Sequence, residues 1–284
     1  LKKGDRLSRT RSNFRCRTVW GLFGAFGILM IGQDFASAEV NLAPHRAVYS
    51  LNLIESSNHG SWESVVGRMV YELTGSSCEG YQQQFRQMII LSNSEGGRQV
   101  LDDFSSVSET PDEKRLDFFS KNIGKDEVVE TTNGNAQRLE SGVIVHYTSP
   151  TRAELHLPSQ TSFPIAYTKS LITSALAGRK SLDLLQFDGT DTTSSAQRTF
   201  AIIGAEKPLS TGSEIDLVTK TFGKQRHWPI TIGFGYDNQL TSEYSIFQEI
   251  LENGVAINLI LDLKEFKLSG HLQSITKLDQ KKCN

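Results

Sequence analysis

The chain has 284 residues, 38% of them hydrophobic and 22% charged, with a formal net charge of −2. That balance argues against a nucleic-acid groove, whose affinity rests on clustered positive charge. The length allows one large β domain, or two smaller ones, around a substantial core.

The first 38 residues read as a secretion signal. Lys2, Lys3, Arg6, Arg9, Arg11, Arg15 and Arg17 precede an uncharged, mostly apolar run from Thr18 to Gly32. Ala36-Ser37-Ala38 then offers the small-x-small pattern cut by a signal peptidase. The apolar run is short for a bilayer span, which needs roughly 20 residues. The residue directly after Ala38 is not cysteine, which disfavours a lipoprotein, and no Arg-Arg pair marks a twin-arginine route. The expected mature chain is residues 39–284, a single domain. It keeps 23 basic and 30 acidic residues, a formal charge of −7, and no apolar segment of transmembrane length. Cys16 leaves with the signal, so Cys78 and Cys283 remain in an oxidising compartment. A disulfide is the economical reading there. Free thiols and a bridge between two chains are the alternatives.

Alternation with period two dominates the chain beyond Ala38. Ala47, Tyr49, Leu51 and Leu53 share one face; Val65, Met69, Tyr71 and Leu73 share the next; Tyr81, Phe85, Ile89 and Leu91 share a third. The breaks Asn58-His59-Gly60, Gly75-Ser76-Ser77 and Ser94-Glu95-Gly96-Gly97 suit an antiparallel meander. The polar segment from Ser108 to Asp112, with Pro111, is expected to be a loop. Short strands are expected at Arg115 to Ser120 and Val128 to Thr132, and a clearer one at Ser141 to Tyr147. Asn133-Gly134-Asn135 supplies turn chemistry.

One helix is predicted, capped by Thr161 or Ser162, opened by Pro164 and closed by Gly178. Strands resume at Leu182 to Phe187, Arg198 to Ile203 and His227 to Tyr236. Pro229 places the start of the last at a sheet edge or an irregular position. Gly233 and Gly235 flank Phe234 and suit a bend or bulge, since the strand-turn-helix setting of a nucleotide loop is missing. Asn253-Gly254 is the strongest hairpin signal. It separates a strand ending at Leu251 from one over Val255 to Leu263, and Phe266 to Ile275 forms the last strand. The strand Val255 to Leu263 is apolar on nearly both faces, so it is a packed core strand or lines an apolar cavity.

Catalytic signals are poor, and no catalytic residue, metal ligand or cofactor motif is singled out. His45, His59, His146, His156, His227 and His271 form no H-E-x-x-H helix. His146 and His156 bracket a hairpin and can approach each other. Gly212-Ser213-Glu214 lies in polar loop context and makes no G-x-S-x-G elbow.

In order along the chain stand Leu42-Ala43-Pro44-His45-Arg46-Ala47-Val48-Tyr49, Gly67-Arg68-Met69-Val70-Tyr71, Cys78-Glu79-Gly80-Tyr81 and Gln84-Phe85. Phe163-Pro164, Leu184, Phe187-Asp188-Gly189 and Tyr244 through Glu252-Asn253-Gly254-Val255 come after them. This succession resembles the periplasmic cell-envelope integrity protein B family of α-proteobacteria, across essentially the whole mature chain. The resemblance implies a mainly β fold: a large antiparallel β-spiral of two strongly curved sheets forming a cup, with at least one associated helix. It implies a disulfide between Cys78 and Cys283. It also implies a non-enzymatic periplasmic role in envelope integrity and stress resistance, with a tetratricopeptide-repeat protein as partner. A lipid-like apolar ligand, or a partner's segment, is expected against Phe234, Tyr236, Tyr244 and Phe247. The alternative is a hydrolase of envelope lipid or cell-wall polymer, with acids such as Asp102, Asp188 or Asp237 brought together by the fold.

Overall fold

The computed structural model describes residues 40–56, 62–124, 127–190, 196–208, 212–236 and 242–283, with the side chain of Glu127 left aside. The expected signal at residues 1–38, and with it Cys16, lies outside them, as do His59 and Asp237. The segment Ala38–Asn284 forms one compact unit.

Eight strands run in sequence: β1 (His45–Ser56), β2 (Ser64–Ser76), β3 (Gly80–Ser92), β4 (Arg98–Glu109), β5 (Arg115–Gly124), β6 (Glu127–Leu139), β7 (Gly142–Ser149) and β8 (Ala153–Leu157). Helix α1 (Pro164–Leu176) leads to β9 (Ser181–Gln186) and β10 (Gln197–Ile203), and α2 (Ser213–Phe222) comes next. β11 (His227–Gly235), β12 (Tyr244–Leu251), β13 (Ala256–Asp262) and β14 (Phe266–Lys277) complete the chain. All fourteen strands join one sheet in the order β8-β7-β6-β5-β4-β3-β2-β1-β14-β13-β12-β11-β10-β9.

This overturns the expectation of two strongly curved sheets forming a cup. β1 and β14 are hydrogen-bonded in antiparallel register from His45↔Lys277 to Ser56↔Phe266. That seam fuses the two runs of strands into one continuous sheet. The strand order has two ends, β8 and β9, so the sheet is not closed into a barrel either. No alternation within a strand encodes such a seam, because it pairs segments more than 200 residues apart in sequence.

Three apolar clusters hold the unit together. The first joins Ala47, Tyr49 and Leu51 of β1 to Ile257, Leu259 and Leu268 of β13 and β14, with Ile215 and Val218 of α2. In the second, Ile165, Leu171, Ile172 and Ala175 of α1 pack against Ala201, Ile203, Trp228, Ile230 and Ile232. The third gathers Leu116, Phe118, Val143, Val145, Tyr147, Phe163 and Phe187. Each fully buried Leu, Ile or Phe contributes roughly 1.5–3 kcal/mol.

Several local expectations change. β4 was not expected; its inward side chains include Asp103 and Ser105, because it lines a cavity rather than dry core. Ser108 and Glu109 belong to that strand, and the turn begins after them. Asn133-Gly134-Asn135 lies inside β6, at a register shift between Asn133 and Gly134. A Cβ at Gly134 would stand 2.6 Å from Phe118 Cζ and 2.3 Å from the His146 carbonyl oxygen, so close packing requires the glycine. Pro229 lies in an interior strand, next to the last β10–β11 register pair, Ile203↔Ile230. β11 keeps unbroken register through Gly233, and the shift falls instead in the β12–β13 pair, between Phe247 and Glu249. The Gly212-Ser213-Glu214 segment opens α2 rather than forming a loop.

Candidate functional site

A partly open cavity of about 560 Å³ lies between the inward faces of β1–β4 and those of β12 and β13. The period-two rule decides which side chains reach it. Tyr244, Ile246, Gln248 and Ile250 of β12 line it, as do Leu259 and Leu261 of β13. From the far side come Tyr49, Met69, Tyr71, Phe85, Gln87, Asp103 and Ser105. The segment at the end of β9 adds Gln186, Asp188 and Thr190, and α1 adds Pro164 and Thr168.

Register explains how polarity is distributed along this wall. One row runs Tyr49, Met69, Gln87, Asp103 and Asn122 across successive strands; the adjacent row runs Ala47, Tyr71, Phe85, Ser105 and Ser120. Both rows are apolar at β1 and β2 and polar by β4 and β5. The Tyr49 hydroxyl donates to the Ala256 carbonyl oxygen at 2.7 Å, and the Tyr71 hydroxyl to Gln83 Oε1 at 3.3 Å. Burial pushes both phenols up, Tyr49 and Tyr71 alike, so they act as neutral donors.

Of the aromatic residues expected at an apolar surface, two reach the cavity. Phe234 and Tyr244 stack with ring centroids 4.5 Å apart and planes 9° from parallel, and both line the wall. Phe247 stands one position out of phase with Ile246 and Gln248, on the opposite face of β12. Tyr236 follows the end of β11 and is not among the lining residues. The aromatic count of this stretch was legible in the sequence; which face each ring takes depends on register.

Cys78 sits in the β2–β3 turn and Cys283 beyond β14, with their sulfurs 2.07 Å apart as a disulfide. Around it, the Leu278 amide donates to the Pro44 carbonyl oxygen at 3.0 Å, and Lys281 Nζ reaches Glu79 Oε1 at 2.7 Å.

The two described candidate hydrolase acids, Asp102 and Asp188, do not assemble. Asp102 lies on the opposite face of β4 from cavity-lining Asp103, held by Arg86 through Nε at 2.9 Å and Nη2 at 2.7 Å. Those bonds hold its carboxyl below the usual carboxylate range. Asp188 Oδ1 accepts from the Thr190 amide at 3.0 Å and the Thr190 hydroxyl at 2.8 Å. His146 and His156 do meet, through Glu154 at 3.4 Å and 2.8 Å, in a solvent-exposed cluster on β7 and β8. Among the described residues no group of three His, Cys, Asp or Glu is placed to hold a metal ion.

Glu109 and Glu214 are among the buried carboxylates that sequence reasoning missed. Glu109, at the end of β4, accepts from the backbone amides of Ile165 and, at 3.2 Å, Ala166. It caps α1 where Thr161 or Ser162 was expected, for Phe163 occupies the N-cap position and makes no side-chain cap. Burial pushes its carboxyl up to about 7, against the opposing pull of those amides. Glu214, in the first turn of α2, accepts from the Asn258 amide at 2.9 Å and contacts His271 Nδ1 at 3.1 Å. Both partners lie far away in sequence, so no local cap motif could reveal them.

Fold and site together define a single-sheet antiparallel β protein with a partly open amphipathic cavity. The chain belongs to the EipB-like family, which it matches over residues 36–279. It is 30% identical over 251 residues to the cell envelope integrity protein EipB of Brucella abortus (strain 2308), covering 87% of this chain and 88% of that one. A crystal structure from Brucella abortus, described as a β-barrel-like protein of the domain of unknown function DUF1849, is also similar. It has a TM-score of 0.79 and 28% identity, and the match covers 84% of this chain and 100% of that one. The resemblance drawn from the ordered motifs therefore holds.

Proposed function

We propose that this chain is a non-enzymatic periplasmic protein that supports cell-envelope integrity, as the name of its Brucella relative says of that protein. We propose further that export removes residues 1–38, leaving residues 39–284 as one domain. The reading goes on to a ligand: the cavity takes the apolar chain of a lipid-like molecule. The observation that carries this is a space of about 560 Å³ walled on one side by Ile246, Ile250, Leu259 and Leu261. Ligand pockets commonly fall in the range of roughly 300–1,000 Å³. Each methylene buried there contributes about 0.8 kcal/mol before the costs of association. No helix among the described residues is long and apolar enough to cross a membrane.

The test is native mass spectrometry of protein purified from its own envelope, followed by organic extraction. A co-purifying lipid-like species, displaced by added amphiphile, is the expected result. Recovery of no ligand, together with no saturable uptake of a twelve-carbon amphiphile, would sink the ligand reading.

A second observation favours a partner on the exterior. Phe200 and Ile202 of β10 are 49% and 57% exposed, side by side on the outward face. They offer an apolar strip to a tetratricopeptide-repeat partner. Changing both to Glu should abolish co-purification of that partner while leaving amphiphile uptake intact; retained co-purification would place the partner elsewhere.

A further inference from the structure

The charge of the cavity wall narrows the ligand beyond its apolar chain. No lysine or arginine occurs among the described residues that line it, whereas Asp103 and Asp188 do. Lys169, next in α1 to the lining residue Thr168, is engaged elsewhere: its Nζ lies 5.5 Å from the Tyr81 ring and 3.9 Å from Glu113 Oε1. Lys121 stands one position out of phase with Ser120 and Asn122, the β5 residues opposite cavity-lining Ser105 and Asp103, and so lies on the other face. The one imidazole in the wall, His45, is held neutral by burial, with Nδ1 2.7 Å from the Ala43 carbonyl oxygen.

One row of the wall also turns polar along its length. Along the row Tyr49, Met69, Gln87, Asp103, the wall changes from apolar to acidic over three strand spacings. Neighbouring strands stand roughly 4.8 Å apart, so the change occupies about 15 Å. An amphiphile lying across the row with its chain toward β1 and β2 would bring its head to Asp103. An anionic head there meets a carboxylate and no cation, which costs affinity through both repulsion and unpaired desolvation. An ammonium head meets an acceptor of opposite charge and forms a charge-assisted hydrogen bond.

We infer that the cavity selects amphiphiles with a cationic, hydrogen-bond-donating head, and that Asp103 is the residue that reads the head. The inference rests on the proposal that the cavity holds an apolar chain.

The test compares dodecylamine with dodecanoate at pH 7.5, two twelve-carbon chains differing in head charge, by displacement of a bound fluorescent probe from the delipidated protein. Dodecylamine is expected to bind at least tenfold more tightly. Asp103→Asn should bring the two within about threefold, and Asp103→Lys should reverse the order. Asp279→Asn removes the same charge from an exposed position beyond β14 and should leave the ratio unchanged. Thermal melting of each variant establishes that it is folded. Equal or tighter binding of dodecanoate by the unaltered protein overturns the inference while leaving an apolar-ligand cavity standing. A preference that Asp279→Asn reduces as much as Asp103→Asn also overturns it, because the selection would then be a property of net charge. Saturable binding of neither amphiphile overturns the cavity reading itself.

Discussion

Glu109 shows what one buried side chain can decide. Its carboxylate receives two backbone amides at the positive end of α1, which favours ionisation, yet burial dominates and raises its carboxyl from 4.5 to about 7. A carboxyl raised on folding binds more protons in the folded chain than in the unfolded one between those two values. Its stabilising contribution is therefore complete below about pH 4.5 and lost as pH rises to about 7. The full span corresponds to about 3 kcal/mol, taking 1.36 kcal/mol per unit between 4.5 and about 7. His45 works in the opposite sense. Burial lowers its pKa, so its contribution is present above the ordinary histidine value of 6.5 and lost as pH falls. The two slopes oppose each other, and a difference measurement separates them. Urea unfolding from pH 4.5 to 7.5 should show Glu109→Gln less stable than the parent at the acid end, with the gap shrinking by about 1–3 kcal/mol toward neutral pH. A constant gap would mean that Glu109 titrates normally.

At the scale of elements, α2 is fastened by one carboxylate. Asn258 has a φ of 53° and sits at the β12–β13 register shift, where the ladder leaves its amide without a strand partner. Glu214 supplies the acceptor and also reaches His271 on β14. Glu214→Ala should cost about 1–3 kcal/mol, the penalty for a buried donor left unpaired. Amide exchange of α2 should accelerate more than that of α1; equal acceleration would make the loss global. α1 itself was legible in the sequence from Pro164 and Gly178, because both act through local backbone geometry. α2 was not, since only Ile215 and Val218 of its apolar residues are buried and its anchor comes from β13.

For the whole unit, the largest single constraint is covalent. The Cys78–Cys283 bridge closes a span of 205 positions and ties the chain's end to the β2–β3 turn. Chain-entropy arithmetic for a loop of that length gives about 5 kcal/mol as a ceiling. Replacing both cysteines by serine should lower the unfolding free energy by about 2–5 kcal/mol in guanidinium titrations. Exchange protection should be lost first at Leu278, whose amide bonds to Pro44. Unchanged stability would mean that the β1–β14 seam alone suffices. That seam and the bridge act on the same strands, so their effects are expected to be non-additive.

Most strands could be read from sequence alone, because burial of one sheet face imposes alternation wherever that face is dry, as in β1, β2 and β3. The Asn253-Gly254 turn was legible for a similar reason: Gly254 adopts a φ of 88°, and few other residues reach that region without strain. The family, too, was written in the order of short motifs. Tertiary structure alone decided the rest. β4 escapes notice because a strand facing a cavity can carry Asp103 and Ser105 inward. Gly134 imitates a turn because its missing side chain makes room for Phe118. The merger of two runs of strands into one sheet required β14 to find β1, a pairing set by long-range complementarity and closed by a bond between the β2–β3 turn and the chain's end. The cavity depends on that merger, since it takes the assembled register to bring Asp103 of β4 into one wall with Ile246 of β12 and Leu259 of β13.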